Sequence, residues 1–261
     1  MKRKRRSRSL RSVVPIRTCR LALVGLVLAA GLLVAIVLPL LPLAVRGAWS
    51  RALLVALGVR LEVSGERPRR GGCLIVANHV SWLDVIAISA IYPDACFVCK
   101  LEIASWPLLG WLLKRAGTFF MRRGSAFSAW RAVQAIAPCV RQGARVAVFP
   151  EGTTTPGDTL LPFHAALFQS AVNAGCAVQP VALAYSSSAA AYTGETAFGE
   201  SLLAVAGADG LSVSVEFPRA FPASGITRRE AAQRAREAIV SCLRHLEVAE
   251  SSQPEPMLRA A

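Results

Sequence analysis

From Arg60 onward, short apolar runs alternate with longer segments of helical periodicity, and this alternation restricts the possible folds more than any other feature. Strands are predicted at residues 61–63, 73–77, 95–99, 118–121, 145–149, 178–184 and 212–217. Helices are predicted at 82–91, 106–116, 126–141, 163–174 and 228–245. Strands separated by helices need crossover connections, which produce parallel pairing. The predicted class is therefore α/β, a mostly parallel sheet flanked by helices.

The N-terminal part of the chain is basic first and apolar afterwards. Residues 1–20 hold nine of the Lys and Arg residues and no acid, within a chain of net charge +14. Residues 21–45 carry no charge, which is long enough to cross a bilayer. A basic segment beside an apolar one favours anionic lipid headgroups, at roughly 1 kcal/mol per Lys or Arg. No base-stacking or groove-reading motif follows, so nucleic-acid binding is not predicted.

Pro39 and Pro42 divide the apolar segment, because proline removes a helix hydrogen bond and disfavours helix just before it. One helix is predicted up to about residue 38, and a second, amphipathic helix over 43–58. Residues 21–59 then form a two-helix membrane anchor, a hairpin that returns the chain to the side from which it entered. The Arg residues that follow favour this return, and a single span is the alternative.

The stretch from Cys73 to Ser89 is apolar at both ends and holds His79 and Asp84 in its middle. Ligands of open α/β sheets bind beyond the carboxyl ends of the strands, and His79 follows a predicted strand. A spacing of five turns two side chains about 140° apart on a helix, so His79 must lie on the loop before the helix of Asp84. Asp84 would then fix the imidazole tautomer and leave the other nitrogen free as a base.

A purely structural interpretation of this stretch is also open. Ser81 followed by Asp84 three residues later is a capping-box-like helix start. A histidine in a loop is often only hydrogen-bonded. The stretch alone therefore does not decide between a catalytic pair and a well-capped helix.

A second strand end carries Glu151, Gly152 and Thr153. Backbone amides around Gly152, together with the hydroxyls, could hold a phosphate. Glu151 would repel a phosphate, so we expect it to bind a substrate hydroxyl or to pair with an arginine. An ordinary turn with a solvated Glu is the alternative.

A third strand end carries Arg122 and Arg123. Arginine binds phosphate through two parallel hydrogen bonds, although paired arginines also occur in ordinary solvated loops. The three polar strand ends together suggest one substrate site.

The seven cysteines lie mostly in apolar runs, where Cys behaves as a small hydrophobe, and they indicate a reducing compartment. Cys96 and Cys99 have the spacing of a redox or zinc pair. In a strand, however, their side chains point to opposite faces, and no second pair completes a site. We predict no metal site.

Four blocks occur in the order and approximate spacing of a known family: Asn78-His79-x4-Asp84, residues 117–123, Phe149-Pro-Glu-Gly-Thr153 and Val178-Gln-Pro-Val-Ala182. The chain thereby resembles the glycerolipid acyltransferases, and among them the bacterial 1-acyl-sn-glycerol-3-phosphate (lysophosphatidate) acyltransferases. The resemblance covers about residues 60–220. The predicted organisation is a basic tail (1–20), a membrane-associated hairpin (21–59), an acyltransferase domain (60–247) and a flexible tail (248–261).

The resemblance implies a role for each block. His79 would deprotonate the acceptor hydroxyl for attack on an acyl thioester, and Asp84 would orient the imidazole. Backbone amides near the helix start would stabilise the oxyanion. The other matched residues are assigned to acceptor and phosphate binding (Arg123, Glu151, Gly152, Thr153) and to support of the site (Asn78, Pro180).

The resemblance also implies the partners and the location. No metal or cofactor is implied, and the co-substrate is acyl-CoA or an acyl carrier protein. The acceptor is a lysolipid, and the partners include membrane lipids with anionic headgroups. The expected location is the cytoplasmic (inner) membrane, with the active site facing the cytoplasm.

Three departures from the family pattern bear on the acceptor. Arg122 stands where Asp or Asn is usual, and Thr154 stands where many lysophosphatidate enzymes have Arg or Ser. His164 and Ala166 replace a Lys and a Gly in a segment that is similar to the lyso-ornithine lipid acyltransferases of the same superfamily. Lysophosphatidate is the predicted acceptor, and lyso-ornithine lipid is the alternative.

Two other classes of protein fit less well. A serine hydrolase needs a nucleophile on a Gly-x-Ser-x-Gly turn, and Ser186-Ser-Ser188 lacks that context. A non-catalytic membrane protein would leave His79, Asp84 and Glu151 without a shared purpose. An O-acyltransferase is therefore the predicted function.

Overall fold

The secondary structure follows the predicted alternation of strands and helices. A computed structural model describes residues 10–37, 43–67, 71–107, 109–194 and 196–252. The helices are α1 (Leu10–Val37), α2 (Leu43–Leu57), α3 (Leu83–Ile91), α4 (Leu109–Arg115), α5 (Ala126–Arg141), α6 (Phe168–Ala174), α7 (Phe198–Gly207) and α8 (Arg228–Ser252). The strands are β1 (Arg60–Gly65), β2 (Cys73–Ala77), β3 (Cys96–Lys100), β4 (Phe119–Met121), β5 (Arg145–Val148), β6 (Ala177–Tyr185), β7 (Ser212–Phe217) and β8 (Phe221–Pro222).

The strands pair in one sheet of order β1-β7-β6-β2-β5-β3-β4, and β8 pairs with the start of β6. Strands β2 to β6 run parallel, whereas β7 and β8 run antiparallel to β6. Strand β2 lies between β5 and β6, with Cys73 opposite Arg145 and Ala177. All five residues of β2 are buried, as expected for a parallel strand covered on both faces. The predicted α/β class with a mostly parallel sheet is confirmed.

Two hydrophobic layers cover the sheet. One packs α2, α3 and α7 against one face, and the other packs α5, α6 and α8 against the opposite face. Because successive side chains of a strand alternate, Cys99 packs with the first layer and Cys96 with the second. The prediction that these two cysteines point apart is confirmed.

Several elements differ from the sequence prediction. Helix α7 and the two-residue strand β8 were not predicted, and α7 has glycines at its second and last positions, which disfavour helix. Two predicted helices start later than expected. Helix α4 begins at Leu109 instead of residue 106, and α6 begins at Phe168 because residues 165–167 form a tighter 3₁₀ turn ahead of it. These boundaries depend on local packing that residue periodicity does not report.

The N-terminal helix is longer than predicted. Helix α1 begins at Leu10, inside the predicted basic tail, and α8 continues to Ser252, inside the predicted C-terminal tail. The remainder of both tails and the Pro39–Pro42 turn lie outside the described residues. Within α1, Ile16–Leu33 is long and apolar enough to cross a membrane, with a mean hydropathy of 1.8.

The second helix of the predicted two-helix membrane anchor also packs on the domain. Leu53, Leu54 and Leu57 of α2 are buried in the protein, and α2 packs against α3. The apolar face of α2 is therefore used by the core of the domain. Of the helices that the structure describes, only α1 has the length and composition of a membrane helix.

One face of α1 is attached to the domain. Arg17 and Arg20 donate hydrogen bonds to main-chain carbonyls at the end of α7, at 2.7–3.1 Å, and Val24 is buried in the core. On the opposite face Leu26 and Leu33 are 67% and 63% exposed. Helix α1 thus presents an apolar surface outward while its other side belongs to the fold.

Candidate active site

The structure brings His79 and Asp84 together as the spacing predicts. His79 lies on the loop after β2, and Asp84 lies in the first turn of α3. The loop folds back so that His79 Nδ1 is 2.8 Å from Asp84 Oδ2. Because a carboxylate only accepts hydrogen bonds, Nδ1 carries the hydrogen and Nε2 keeps its lone pair.

Asp84 is fully buried and is held by three further donors. Its Oδ2 accepts the main-chain N–H groups of Val80 and Ser81 at 2.8 and 2.9 Å. Its Oδ1 accepts the hydroxyl of Tyr185 at 2.6 Å. Together with the imidazole, these donors compensate the burial of a charged group. Asp84 cannot rotate without breaking several of these bonds.

The capping and orienting roles of Asp84 coexist. The bond from the Ser81 amide is one half of a capping box, while the Ser81 hydroxyl has no partner among the described residues. The amides of Val80 and Ser81 are also among those expected to stabilise an oxyanion near the helix start. Because both donate to Asp84, other donors must serve an oxyanion.

The imidazole plane is held by a neighbouring ring. Phe149 stacks on His79 with 4.1 Å between ring centroids and 17° between planes. The His79 side chain remains 16% exposed. No described residue makes a hydrogen bond to Nε2. Nε2 is therefore the nitrogen open to a substrate.

Glu151 supports the His79 loop from the end of β5. Its Oε1 accepts the main-chain N–H of His79 at 2.7 Å, and its Oε2 accepts that of Leu161 at 3.0 Å. Burial raises the pKa of Glu151 above its ordinary value, although these two hydrogen bonds oppose the shift. Neither a substrate hydroxyl nor an arginine is needed to satisfy this carboxylate, so its contribution to acceptor binding would be indirect.

The loop after β5 is tied to His79 by its backbone. The N–H of Thr155 donates to the carbonyl of His79 at 2.8 Å. Gly152 has a φ of +72°, and a β-carbon there would lie 3.2 Å from the His164 ring, so this position needs glycine. The Thr153 side chain is exposed. Among the residues predicted to bind the acceptor, Thr153 is the one with a hydroxyl, and that hydroxyl faces solvent.

The two predicted supporting residues act within the sheet. The Asn78 side chain donates to the carbonyl of Leu183 and accepts its N–H, both at 2.8 Å, which joins the end of β2 to β6. Pro180 lies opposite Val76 in the interior of β6. On its other side, β6 pairs with β8 before this position and with β7 after it. Proline is tolerated at such interruptions of a ladder. Pro180 is buried in the sheet opposite the penultimate residue of β2, so its role is structural support near the end of that strand.

Arg123 lies at the same edge but not beside His79. It follows β4, which is three strands from β2, a lateral separation of roughly 14 Å. Its side chain is exposed and makes no hydrogen bond to any residue that the structure describes. Desolvation lowers the pKa of Arg123, while the Glu102 carboxylate opposes the shift. Arginine remains cationic under such conditions.

Two side chains of the site were missed from the sequence. Tyr185 ends the apolar run of β6, and its only signal was a position at the carboxyl end of a strand. Trp82 donates from Nε1 to the Ser201 hydroxyl of α7 at 3.0 Å, a contact with an element that was not predicted. Both contacts join residues more than a hundred positions apart.

The fold and the buried His–Asp pair fit an acyltransferase, and the comparisons with known proteins show that family. The family model described as Acyltransferase matches residues 60–184. A lyso-ornithine lipid O-acyltransferase from Pseudomonas aeruginosa is 40% identical over 197 residues, which cover 73% of this chain and 75% of the relative. The chain belongs to the acyltransferase family.

Two further comparisons describe its similarity to named proteins. A 1-acyl-sn-glycerol-3-phosphate acyltransferase from Neisseria meningitidis serogroup B is 47% identical over 136 residues, covering 52% of this chain and 53% of the relative. The crystal structure of the 1-acyl-sn-glycerophosphate acyltransferase PlsC from Thermotoga maritima matches with a TM-score of 0.61 and 19% identity, covering 78% and 79% of the two chains. At this identity the structural match shows the fold.

Proposed function

We propose that the protein is an O-acyltransferase that moves a fatty acyl group from an acyl thioester to the hydroxyl of a lysolipid. The preferred acceptor is 1-acyl-sn-glycerol-3-phosphate, and the product is then phosphatidic acid. One observation carries the proposal: His79 Nε2 is unpaired at the carboxyl edge of the sheet, while Nδ1 is bound to a buried carboxylate. This is the arrangement of a general base with a fixed tautomer.

The proposed reaction proceeds by direct transfer. His79 Nε2 removes the proton of the acceptor hydroxyl while the oxygen attacks the thioester carbonyl. Asp84 stabilises the imidazolium that forms, and Phe149 keeps the ring plane in place. The tetrahedral intermediate collapses to the ester, and the departing thiol takes the proton back from Nε2. The thiol belongs to CoA or to an acyl carrier protein, which we propose as alternative donors.

The exposed arginines after β4 support a phosphate-bearing acceptor. Arg122 and Arg123 extend into solvent at the edge that holds His79. A guanidinium pairs with a phosphate monoester through two hydrogen bonds. Their distance from β2 leaves room for a lipid headgroup between the base and the cations.

A lyso-ornithine lipid is the second candidate acceptor. Its support is the Pseudomonas aeruginosa relative, which is named for that acceptor and matches over three quarters of its own length. Thr154 stands where many lysophosphatidate enzymes have Arg or Ser, and its hydroxyl donates to the carbonyl of Tyr192 instead of being available to a phosphate. The carboxylate of an ornithine headgroup could use the same arginines.

The proposed location is the inner membrane, with the active site on the cytoplasmic side. Helix α1 packs one face on α2 and α7 and exposes Leu26 and Leu33 on the other. A helix attached along its length to the catalytic domain fits a one-sided anchor better than an isolated span. A protease added to intact right-side-out vesicles should leave the C-terminal tail intact, and its cleavage would contradict this topology.

Replacement of His79 by alanine tests the mechanism. The variant should lose acyl transfer by about 10²–10⁴-fold, because a general base contributes that much. The matched control is His245→Ala on the exposed surface of α8, which should keep wild-type activity. Each enzyme is assayed with labelled acyl-CoA and acyl carrier protein against lysophosphatidate and lyso-ornithine lipid. Turnover of the His79 variant at the wild-type rate would exclude the proposed base, and a preference for lyso-ornithine lipid would select the second acceptor.

A further inference from the structure

Tyr185 makes a contact with the site that the reaction described above does not use. It is the last residue of β6, the strand beside β2. Its hydroxyl donates to Asp84 Oδ1 at 2.6 Å, whereas His79, Val80 and Ser81 all donate to Oδ2. Tyr185 is therefore the only described residue that binds the second oxygen of this buried carboxylate.

We propose that Tyr185 is a positioning residue for acyl transfer, which holds Asp84 in place and reduces the negative charge that Asp84 presents to His79. The inference rests on the roles proposed for His79 and Asp84. It concerns a residue one position beyond the segment that the family model matches.

The first part of the proposal follows from the geometry of the carboxylate. An O–H donor to an ionised oxygen makes a short, strong hydrogen bond, and the 2.6 Å separation has that length. Without it, Oδ1 would be a buried acceptor with no partner. The three bonds to Oδ2 would remain, but nothing would fix Oδ1, and the carboxylate could tilt about Oδ2. The position of His79 Nδ1 would then be less well fixed, while Phe149 still holds the plane of the ring.

The second part concerns charge. Burial and the nearby Asp84 carboxylate raise the pKa of Tyr185 well above its ordinary value, so the phenol stays a donor at neutral pH. A donor on Oδ1 withdraws negative charge from the carboxylate. If the donor is removed, the carboxylate holds the protonated imidazole more tightly. Since the base must be neutral to accept a proton, the enzyme then needs a higher pH to become active.

The other titratable groups near the pair are few. Glu151 faces His79 and Asp84 from the loop after β5, and His164 lies against Gly152 in the same region. Trp82 and Ser201, which link the loop to α7, do not titrate in the relevant range. Glu151 and His164 are unchanged by a substitution at Tyr185, so a comparison of variants isolates the phenol.

Tyr185→Phe tests the proposal through the pH dependence of kcat/KM. We expect kcat at neutral pH to fall by about 10- to 100-fold, the range for a hydrogen bond to a charged group. We also expect the acidic limb of the profile to move to higher pH by about 0.5–1 unit. The matched control is Tyr92→Phe, since the Tyr92 hydroxyl is also buried but has no partner among the described residues. This control should change neither quantity.

A second variant covers the case in which Tyr185→Phe folds poorly. Site-specific 3-fluorotyrosine at position 185 keeps the shape of the ring and makes the hydroxyl a stronger donor, so the acidic limb should move to lower pH. An unchanged acidic limb in both variants, with or without a uniform loss of activity, would overturn the positioning role while leaving the His79 proposal intact. Failure of the His79→Ala test would instead remove the basis of both.

Discussion

The loop after β2 and the loop after β4 lie at the same edge of the sheet, but only the first is held by the core. The first loop is held by Asp84 at the start of α3 and by Glu151 after β5, two buried carboxylates that together accept six hydrogen bonds. In the second loop, Arg122 and Arg123 are exposed. No described residue makes a hydrogen bond to either guanidinium, and the Glu102 carboxylate acts on Arg123 only through its charge.

This difference suggests that the two loops have different tasks, one in the chemistry and one in acceptor recognition. A base must be held within a fraction of an ångström of its working geometry, which requires a rigid and fully bonded surrounding. Recognition of a headgroup needs only charge within reach, and exposed arginines provide it without constraining the fold. Two relatives that align with this chain are named for different acceptors, lyso-ornithine lipid and 1-acyl-sn-glycerol-3-phosphate. One reaction with a variable acceptor is what this division of tasks predicts. We infer that the reaction is set by the buried loop and the acceptor by the open one.

Asp84→Asn should give the largest effect among the variants that test this division. The amide keeps the shape but removes the charge, so kcat should fall by about 10²–10³-fold. Its NH₂ group would also face N–H donors, which should cost about 1–3 kcal/mol of stability. Initial rates and urea unfolding in detergent micelles measure the two effects. The control is Asp158→Asn, at an exposed position of the loop after β5; equal behaviour of the two variants would contradict a special role for the buried carboxylate.

Arg123→Ala should have an intermediate effect that appears in binding alone. We expect KM for lysophosphatidate to rise about tenfold, as for loss of a hydrogen bond to a charged group. Stability should change by less than about 0.5 kcal/mol, because the side chain contacts little. Arg131→Ala, on the exposed face of α5, is the matched control. A fall in kcat with constant KM would mean that the open loop takes part in the chemistry, and the contrast between the loops would fail.

Glu151→Gln should give the smallest effect, seen as a change in how stability depends on pH. Burial raises the pKa of Glu151 above its ordinary value of 4.5, so the folded state holds this proton more tightly than the unfolded state. The stability of the wild type relative to Glu151→Gln should therefore be greatest below about pH 4 and decrease as the pH rises through the raised pKa. Urea unfolding of both proteins at several pH values from 4 to 7 measures the difference. A difference that grows with pH would show that the two amide bonds outweigh burial.

Much of the site could be predicted because its signals are local. The five-residue spacing of His79 and Asp84, read with the strand before it, required a loop that folds back, and the structure has that loop. The capping interpretation of Asp84 was not a competitor, because one carboxylate serves both roles. Arg123, Glu151 and Thr153 were placed at strand ends, and all three lie at the carboxyl edge of the sheet. What the strand ends did not show is that Glu151 turns inward to bind the amides of His79 and Leu161.

The sequence by itself determined the α/β class, the parallel core and the strand-end position of the His–Asp pair, because periodicity and short spacings act within a few residues. Only the tertiary structure decided that α2 joins the core, that β7 reverses direction and that Tyr185 binds Asp84. These features depend on which distant segments become neighbours. Strand order brings β6 beside β2 and places a tyrosine hydroxyl from residue 185 against a carboxylate at residue 84, a contact that no local pattern encodes.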